Sequence, residues 1–253
     1  MNRLTAGAWE PGFVTGSTIK EDAMRFLDAA VQLRNDDGCW RTLLFRGDRL
    51  LDLNWNHGYQ EYRITDYQKQ WQNLPEYFRS DLDAACPIPD DNGCWRTLLF
   101  KGDQLLELNW DHGPEQYTIN HYQKQWKNIP AYFTSHLDTT CRIPNDSGGS
   151  WRTLLFKGDQ LLELNWDDGS KQYRVQDYTK QWNNIPDFFA SHLDAACQIP
   201  NDGGSWRTML FKQDQMYVFT WDHGVQYEGP VVDYPEPNNT YVWERAYRAL
   251  TED

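Results

Sequence analysis

The run Trp-Arg-Thr-Leu-Leu-Phe stands at residues 40–45, 95–100 and 151–156, and returns at 206–211 with Met209 replacing one Leu. The spacings are 55, 56 and 55 residues, so one structural unit is written four times. A period of that size is the sequence mark of a propeller or a solenoid rather than of a fold with one unrepeated core.

The rest of each copy keeps step. A turn follows each run, at Arg46-Gly47-Asp48, Lys101-Gly102-Asp103, Lys157-Gly158-Asp159 and Lys212-Gln213-Asp214. A second apolar run then ends on Trp55, Trp110, Trp166 or Trp221, and a further Trp follows at Trp71, Trp126, Trp182 and, more distantly, Trp243. Upstream of each copy lies Leu27-Asp28-Ala29-Ala30, Leu82-Asp83-Ala84-Ala85, Leu137-Asp138-Thr139-Thr140 or Leu193-Asp194-Ala195-Ala196.

Copy two shows the local logic. Asp83 to Ile88 reads as a short strand, limited by Pro87 and Pro89. Trp95 to Lys101 is rich in bulky apolar residues and reads as a strand buried on both faces. Gly102-Asp103 makes a hairpin turn. Leu106, Leu108 and Trp110 alternate with Glu107 and Asn109, the period of a third strand. A fourth is expected around 116–119, and Tyr122 to Trp126 reads as one or two helical turns ending before Pro130. If the Gly102-Asp103 turn has two residues, Arg96 lies opposite Asn109 with Glu107 diagonal to it, which explains the recurring Arg41, Arg96, Arg152 and Arg207 without a ligand.

Four strands and a short helical segment, four times over, predict an all-β, four-bladed β-propeller. The blades are expected at 26–80, 81–135, 136–191 and 192–253, the last closing divergently, with the periodic Trp packed between blades. Hairpin turns and period-2 alternation exclude a helical solenoid, and a β-trefoil needs three copies.

These residues resemble the hemopexin repeat family. The elements that carry the resemblance are Asp83-Ala84-Ala85, Phe100-Lys101-Gly102-Asp103, the strand from Leu105 to Trp110, and Trp126-Lys127-Asn128-Ile129-Pro130. Copies one and three match through Phe45-Arg46-Gly47-Asp48, Trp71 to Pro75 and Trp182 to Pro186, and the likeness covers 26–235. Copy four departs from it, with Gln213 in place of Gly and no Trp-x-x-Ile-Pro element. Extracellular members resemble each other in a disulfide joining first and last blades, and here no Cys follows Cys197. The chain therefore looks more like the seed-albumin or intracellular type, whose resemblance implies haem, polyamine or carbohydrate binding.

The net charge of −13 argues against a nucleic-acid backbone as partner and suits a cationic ligand. No run approaches the roughly 20 apolar residues of a membrane span, and residues 1–20 hold no signal-peptide core. Cys86, Cys141 and Cys197 share one repeat position, with Val31 in copy one; Cys39 and Cys94 share another, with Ser150 and Ser205 in the later copies. Such exchange marks small buried fillers, and the odd, unpaired-looking count fits a reducing, cytoplasmic compartment.

Three groups could carry chemistry. Asp28, Asp83, Asp138 and Asp194 should ring one axis and suit a hard cation, Ca²⁺ or Na⁺; the resemblance implies that backbone carbonyls of the same strands hold channel ions. His136 and His192, at the channel mouth, could ligate a haem iron or a metal. The turns holding Trp55 and His57, Trp110 and His112, Trp166 and Asp168, and Trp221 and His223 combine an aromatic face with polar groups, as a sugar site does, and four of them would make a multivalent lectin. No His-Glu-x-x-His, Gly-x-Ser-x-Gly, phosphate loop or Cys-x-x-Cys occurs. The expectation is a non-enzymatic binding protein holding haem or a polyamine at the channel, with a cytosolic lectin second. An enzyme whose single pocket is formed by the unrepeated residues 1–25 and 225–253 comes third.

Overall fold

A computed structural model describes residues 25–34, 40–54, 61–67, 74–88, 96–109, 117–121, 129–143, 152–165, 172–177, 185–199, 206–222, 225–227, 231–233 and 250. These fold into four antiparallel sheets, each built from strands consecutive in the chain. The first holds β1 (Ala29–Arg34), β2 (Trp40–Arg46), β3 (Arg49–Asn54) and β4 (Glu61–Asp66). The second holds β5 (Ala84–Ile88), β6 (Arg96–Lys101), β7 (Gln104–Asn109) and β8 (Tyr117–His121). The third holds β9 (Thr139–Ile143), β10 (Arg152–Lys157), β11 (Gln160–Asn165) and β12 (Gln172–Asp177). The fourth holds β13 (Ala195–Ile199), β14 (Trp206–Lys212), β15 (Gln215–Asp222), β16 (Val225–Tyr227) and β17 (Val231–Asp233).

The first strand of each sheet points inward. β1 lies against β5 and β13, and β9 lies against the same two, so the four first strands surround one axis. Apolar side chains gather between sheets rather than at one centre. Val31, Leu33 and Phe45 meet Leu99 and Leu106 between sheets one and two. Cys86 and Phe100 meet Leu155 and Leu162 between two and three. Phe156 and Leu161 meet Leu210 and Tyr217 between three and four, and Met209 and Met216 meet Leu44 and Leu51 between four and one. A strand so placed needs apolar groups on both faces, which is why β6 and β10 are buried along their whole middle. The third strands share this: Leu105 and Leu106 are consecutive yet both fully buried, so the period-2 pattern holds only from Leu106 onward.

Register follows the two-residue turn. Arg96 pairs with Asn109 and Leu98 with Glu107, which leaves the Arg96 guanidinium diagonal to the carboxylate at 2.5 Å. Arg41–Asp52 and Arg152–Glu163 repeat the pair, while in sheet four Val218 stands where the others carry the acid.

The segments between sheets contain a feature the sequence reading missed. Pro75, Pro130 and Pro186 each open a 3-10 turn, at Glu76–Phe78, Ala131–Phe133 and Asp187–Phe189. The fixed proline φ suits that entry. Phe78, Phe133 and Phe189 are buried between sheets, and Leu74, Ile129 and Ile185 beside them. The helical turns expected at Tyr122–Trp126 lie outside the described residues, as do the side chains of all the Trp. Among the described residues no helix is long and apolar enough to cross a membrane.

Sheet four differs from the others at its outer edge. Trp221 to Asp233 spans 12 residues where Trp55 to Asp66 spans 11. The outer strand is accordingly split: β16 pairs with the end of β15, β17 with its start. An extra residue in one strand disrupts a ladder in this manner. Leu250 then packs with Leu27, Leu53 and Met216, and its carbonyl accepts from the Arg49 guanidinium at 3.3 Å. It fills between sheets four and one the place that Leu74, Ile129 and Ile185 fill elsewhere.

Candidate functional site

Each Asp of the repeated Leu-Asp pair sits at the entry to a first strand, and its backbone and side chain do different work. The N–H of Asp28, Asp83, Asp138 and Asp194 donates to Phe45, Phe100, Phe156 and Phe211 of the neighbouring strand, at 2.8–2.9 Å. The carboxylate accepts from the backbone N–H of the next hairpin turn: Gly47 at 2.6 Å, Gly102 at 2.8 Å, Gly158 at 2.7 Å and Gln213 at 2.7 Å. A charge-assisted bond to a turn N–H fixes the hairpin tip over the axis. The four acids expected as a metal ring each anchor a turn, one per sheet. Among the described residues no three His, Cys, Asp or Glu side chains are grouped so as to hold a metal ion.

The acids lie near cations of the chain itself. The Arg25 guanidinium reaches Asp138 Oδ1 at 3.4 Å, from the segment leading into sheet one to a carboxylate of sheet three. The next residue, Phe26, donates its N–H to Asp194 Oδ2 at 3.3 Å. Burial pushes the Asp28 carboxyl up to about 6, opposed by the Gly47 N–H and by Arg25. Asp194 is raised by burial as well, against bonds from Gln213 and Phe26 and the charge of Arg25. Lys212 is drawn down by burial, while Asp194 and Asp138 pull it back. Arg25 thus bonds a carboxylate of sheet three and its charge acts on those of sheets one and four, while Lys212 acts on the carboxylates of sheets three and four.

His136 and His192 stand beside the same mouth, exposed, and their backbone explains why they recur. Both take a left-handed conformation, φ 46° and 49°, as does Asp81 at φ 49°. Their N–H groups donate to Gly102 and Gly158 of the preceding sheet at 2.8 Å, and that of Asp81 to Gly47 at 3.0 Å. Asp and His tolerate this region better than most residues. The His136 Nδ1 lies 3.8 Å from Asp83 Oδ2. Of the lectin candidates, Trp55, His57, Trp110, His112, Trp166, Asp168 and His223 lie outside the described residues; of Trp221 the backbone alone is described, paired with Trp206.

The same face carries a contact absent from the sequence reading. Tyr77 and Tyr132 donate their hydroxyls to the carbonyls of Lys101 and Lys157 at 3.2 Å, and Lys101, Lys157 and Lys212 lie over the rings of Tyr77, Tyr132 and Phe188 at 5.1–5.3 Å. A Cβ on Gly102 or Gly158 would strike the tyrosine hydroxyl, at 2.6 Å in the second case. Copy four has Gln213 at that turn, φ 53°, and opposite it Phe188, which has no hydroxyl. The two departures compensate. The signal was in the sequence as paired changes at repeat spacing.

Cys86, Cys141 and Cys197 are free and buried, as small fillers should be. Cys39 and Cys94 lie outside the described residues.

No protein-family model and no curated protein matches the chain. Solved structures do. A hemopexin fold protein from cow pea, CP4, is similar with a TM-score of 0.65 at 12% identity, over 85% of this chain and 98% of that one. The chain has a hemopexin-like fold. A plant albumin from Cicer arietinum described as showing hemagglutination is similar with a TM-score of 0.63 at 14% identity, over 84% and 97% of the two chains. A plant lectin from the same organism, described with two metal binding sites, gives 0.60 at 14% identity, over 84% and 97%.

Proposed function

We propose that this chain is a non-enzymatic binding protein on a four-bladed propeller, and that its ligand is a polyamine held at the acidic mouth of the axis. The propeller reading is supported by the mutual packing of the four first strands. The observation that carries the ligand is Arg25: the chain sets its own cation on the Asp138 carboxylate, where its charge also acts on Asp28 and Asp194. A polyamine presents the same spaced positive charges as that guanidinium, with more of them. A compact Ca²⁺ or Na⁺ needs oxygens converging at one point, and each of these carboxylates is tied to its own turn. Haem needs a flat apolar slot beside its axial ligand, whereas His136 and His192 stand exposed, His136 beside the Asp83 carboxylate.

Calorimetry with spermine on the full chain tests this. One site per chain is expected at pH 7.5, weakening as pH falls through about 6, where Asp28 takes up a proton. Arg25→Gln, which removes the competing charge, should bind severalfold tighter. No heat in either protein would refute the reading.

A multivalent carbohydrate-binding protein is the second reading, favoured by the hemagglutinating albumin of the same fold. It predicts three or four sugars per chain on the Trp turns, and signals on a glycan array.

A further inference from the structure

Away from the axis, one repeat position keeps large aromatic rings in water. Tyr77, Tyr132 and Phe188 are 44%, 49% and 36% exposed, and each is followed by the phenylalanine that is buried between sheets. Phe188 has no hydroxyl to bond a lysine carbonyl, so what the three share is the open ring. An apolar group stabilises a fold only through the area it withdraws from water, and much of each ring stays outside. Each ring is also braced before any ligand arrives. It stands at 86–90° to the ring of Phe78, Phe133 or Phe189, with centroids 5.1–5.2 Å apart. The ammonium of Lys101, Lys157 or Lys212 lies over it and donates to the carbonyl of Ser80, Ser135 or Ser191 at 2.5–2.6 Å. The chain's own cation thus covers one face of the ring and leaves the other open.

Groups able to bond hydroxyls border the rings. Asp103 and Asp159 follow Gly102 and Gly158, where a Cβ would strike the Tyr77 and Tyr132 hydroxyls, and both carboxylates are exposed. The His136 ring reaches the same point over Gly102, and His192 holds the equivalent place by its N–H bond to Gly158. Burial, with Asp103 acting on Tyr77 and Asp159 on Tyr132, holds both phenols above their ordinary range. Each hydroxyl therefore keeps donating to its lysine carbonyl, and the ring stays fixed. At the turn opposite Phe188 stands Asp214, also exposed.

We propose that each of these rings is a platform for a neutral sugar, which stacks its C–H face on the open side while the turn acid, and at the first two the histidine, bond its hydroxyls. Charge selects that class of ligand. A cation would meet the ammonium already lying over the ring, and an anion would meet the turn carboxylate. A neutral polyol meets neither repulsion, and an aromatic face beside oriented polar groups is what it needs. A ring already fixed in place loses little freedom on binding. Several platforms on one face suit a branched or polymeric glycan, since weak sites then gain avidity. Such platforms presuppose the carbohydrate reading and place its sugar on this face rather than on the Trp turns.

The test is an array of neutral and sialylated glycans probed with the full chain, followed by titration of the neutral glycan that binds best. Neutral glycans are expected to bind. Tyr77→Ala, Tyr132→Ala and Phe188→Ala combined should lower the apparent affinity about tenfold, the scale of losing an aromatic anchor. Tyr77→Phe with Tyr132→Phe keeps the rings and should bind as the parent does. If the triple Ala variant does not fold, Asp103→Asn with Asp159→Asn probes the same sites through their exposed acids and should bind severalfold weaker. Binding unchanged in the Ala and Asn variants would overturn the platforms while leaving carbohydrate on the Trp turns. Binding confined to sialylated glycans would overturn them as well, and no binding by the parent would sink both.

Discussion

At the scale of single residues, the exchange of Gly for Gln213 is understood only with Phe188. The turn demands a left-handed φ, which a residue with a Cβ adopts at a cost of about 1–2 kcal/mol. In copies two and three a tyrosine hydroxyl also fills the place of that Cβ. Phe188→Tyr should therefore crowd Gln213 and destabilise the protein by about 0.5 kcal/mol, a small cost because the ring is exposed and can tilt away. Adding Gln213→Gly rebuilds the arrangement of the other copies and should restore stability at least to the starting value. Urea melts of the two single variants and the double measure the coupling; strict additivity would contradict the pairing. Glycine at 47 stands apart, because a Cβ there meets nothing within 4 Å.

The acid beside that glycine sets a second expectation. Asp28 has a folded pKa of about 6 against an ordinary 3.8, so between those values the folded state holds the proton more tightly. Its contribution to stability is full below about pH 4 and is lost as pH rises through 6. Asp28→Asn keeps an oxygen for the Gly47 N–H and has no charge to bury. Its melting temperature should gain on the parent as pH rises from 4 to 7. A gap that is constant, or opens the other way, would show that burial does not dominate at this carboxyl.

At the scale of elements, most of each sheet could be read from the chain. The hairpin turn, the doubly buried second strand and the diagonal Arg–acid pair all rest on short-range geometry, and each stands where the repeat put it. The 3-10 turns were missed because proline was read as an ending, when its fixed φ also begins a helical turn. The expectation that the four Asp ring one axis rests on their repeat position ahead of the first strands. Their spacing of about 19 residues to a turn N–H is long-range in sequence, and no local pattern announces that bond. Arg25 falls just before the first repeat and could not be found from the repeats. That the Nε2 atoms of Gln32 and Gln198 are buried without a partner becomes visible only from the fold.

At the scale of the whole molecule, four apolar clusters lie between the sheets, and one of them joins sheet four to sheet one. Three are filled by Leu74, Ile129 and Ile185 with the phenylalanine that follows. The fourth takes Leu250, far beyond the place that repeat spacing would give. In the sequence, Tyr247-Arg-Ala-Leu250 has the aromatic-x-x-Leu spacing of Trp71 to Leu74. That likeness was hidden by about ten inserted residues and by Tyr in place of Trp. Such an arrangement makes folding depend on Leu250, since losing one interface leaves two apolar sheet faces in water.

The direct test of this account is calorimetric melting of Leu74→Ala, Ile129→Ala, Ile185→Ala and Leu250→Ala. If Leu250 closes the ring in the role of the other three, all four variants melt in one transition and each loses about 2–5 kcal/mol, the cost of such a cavity. A silent Leu250→Ala beside three costly partners would contradict it.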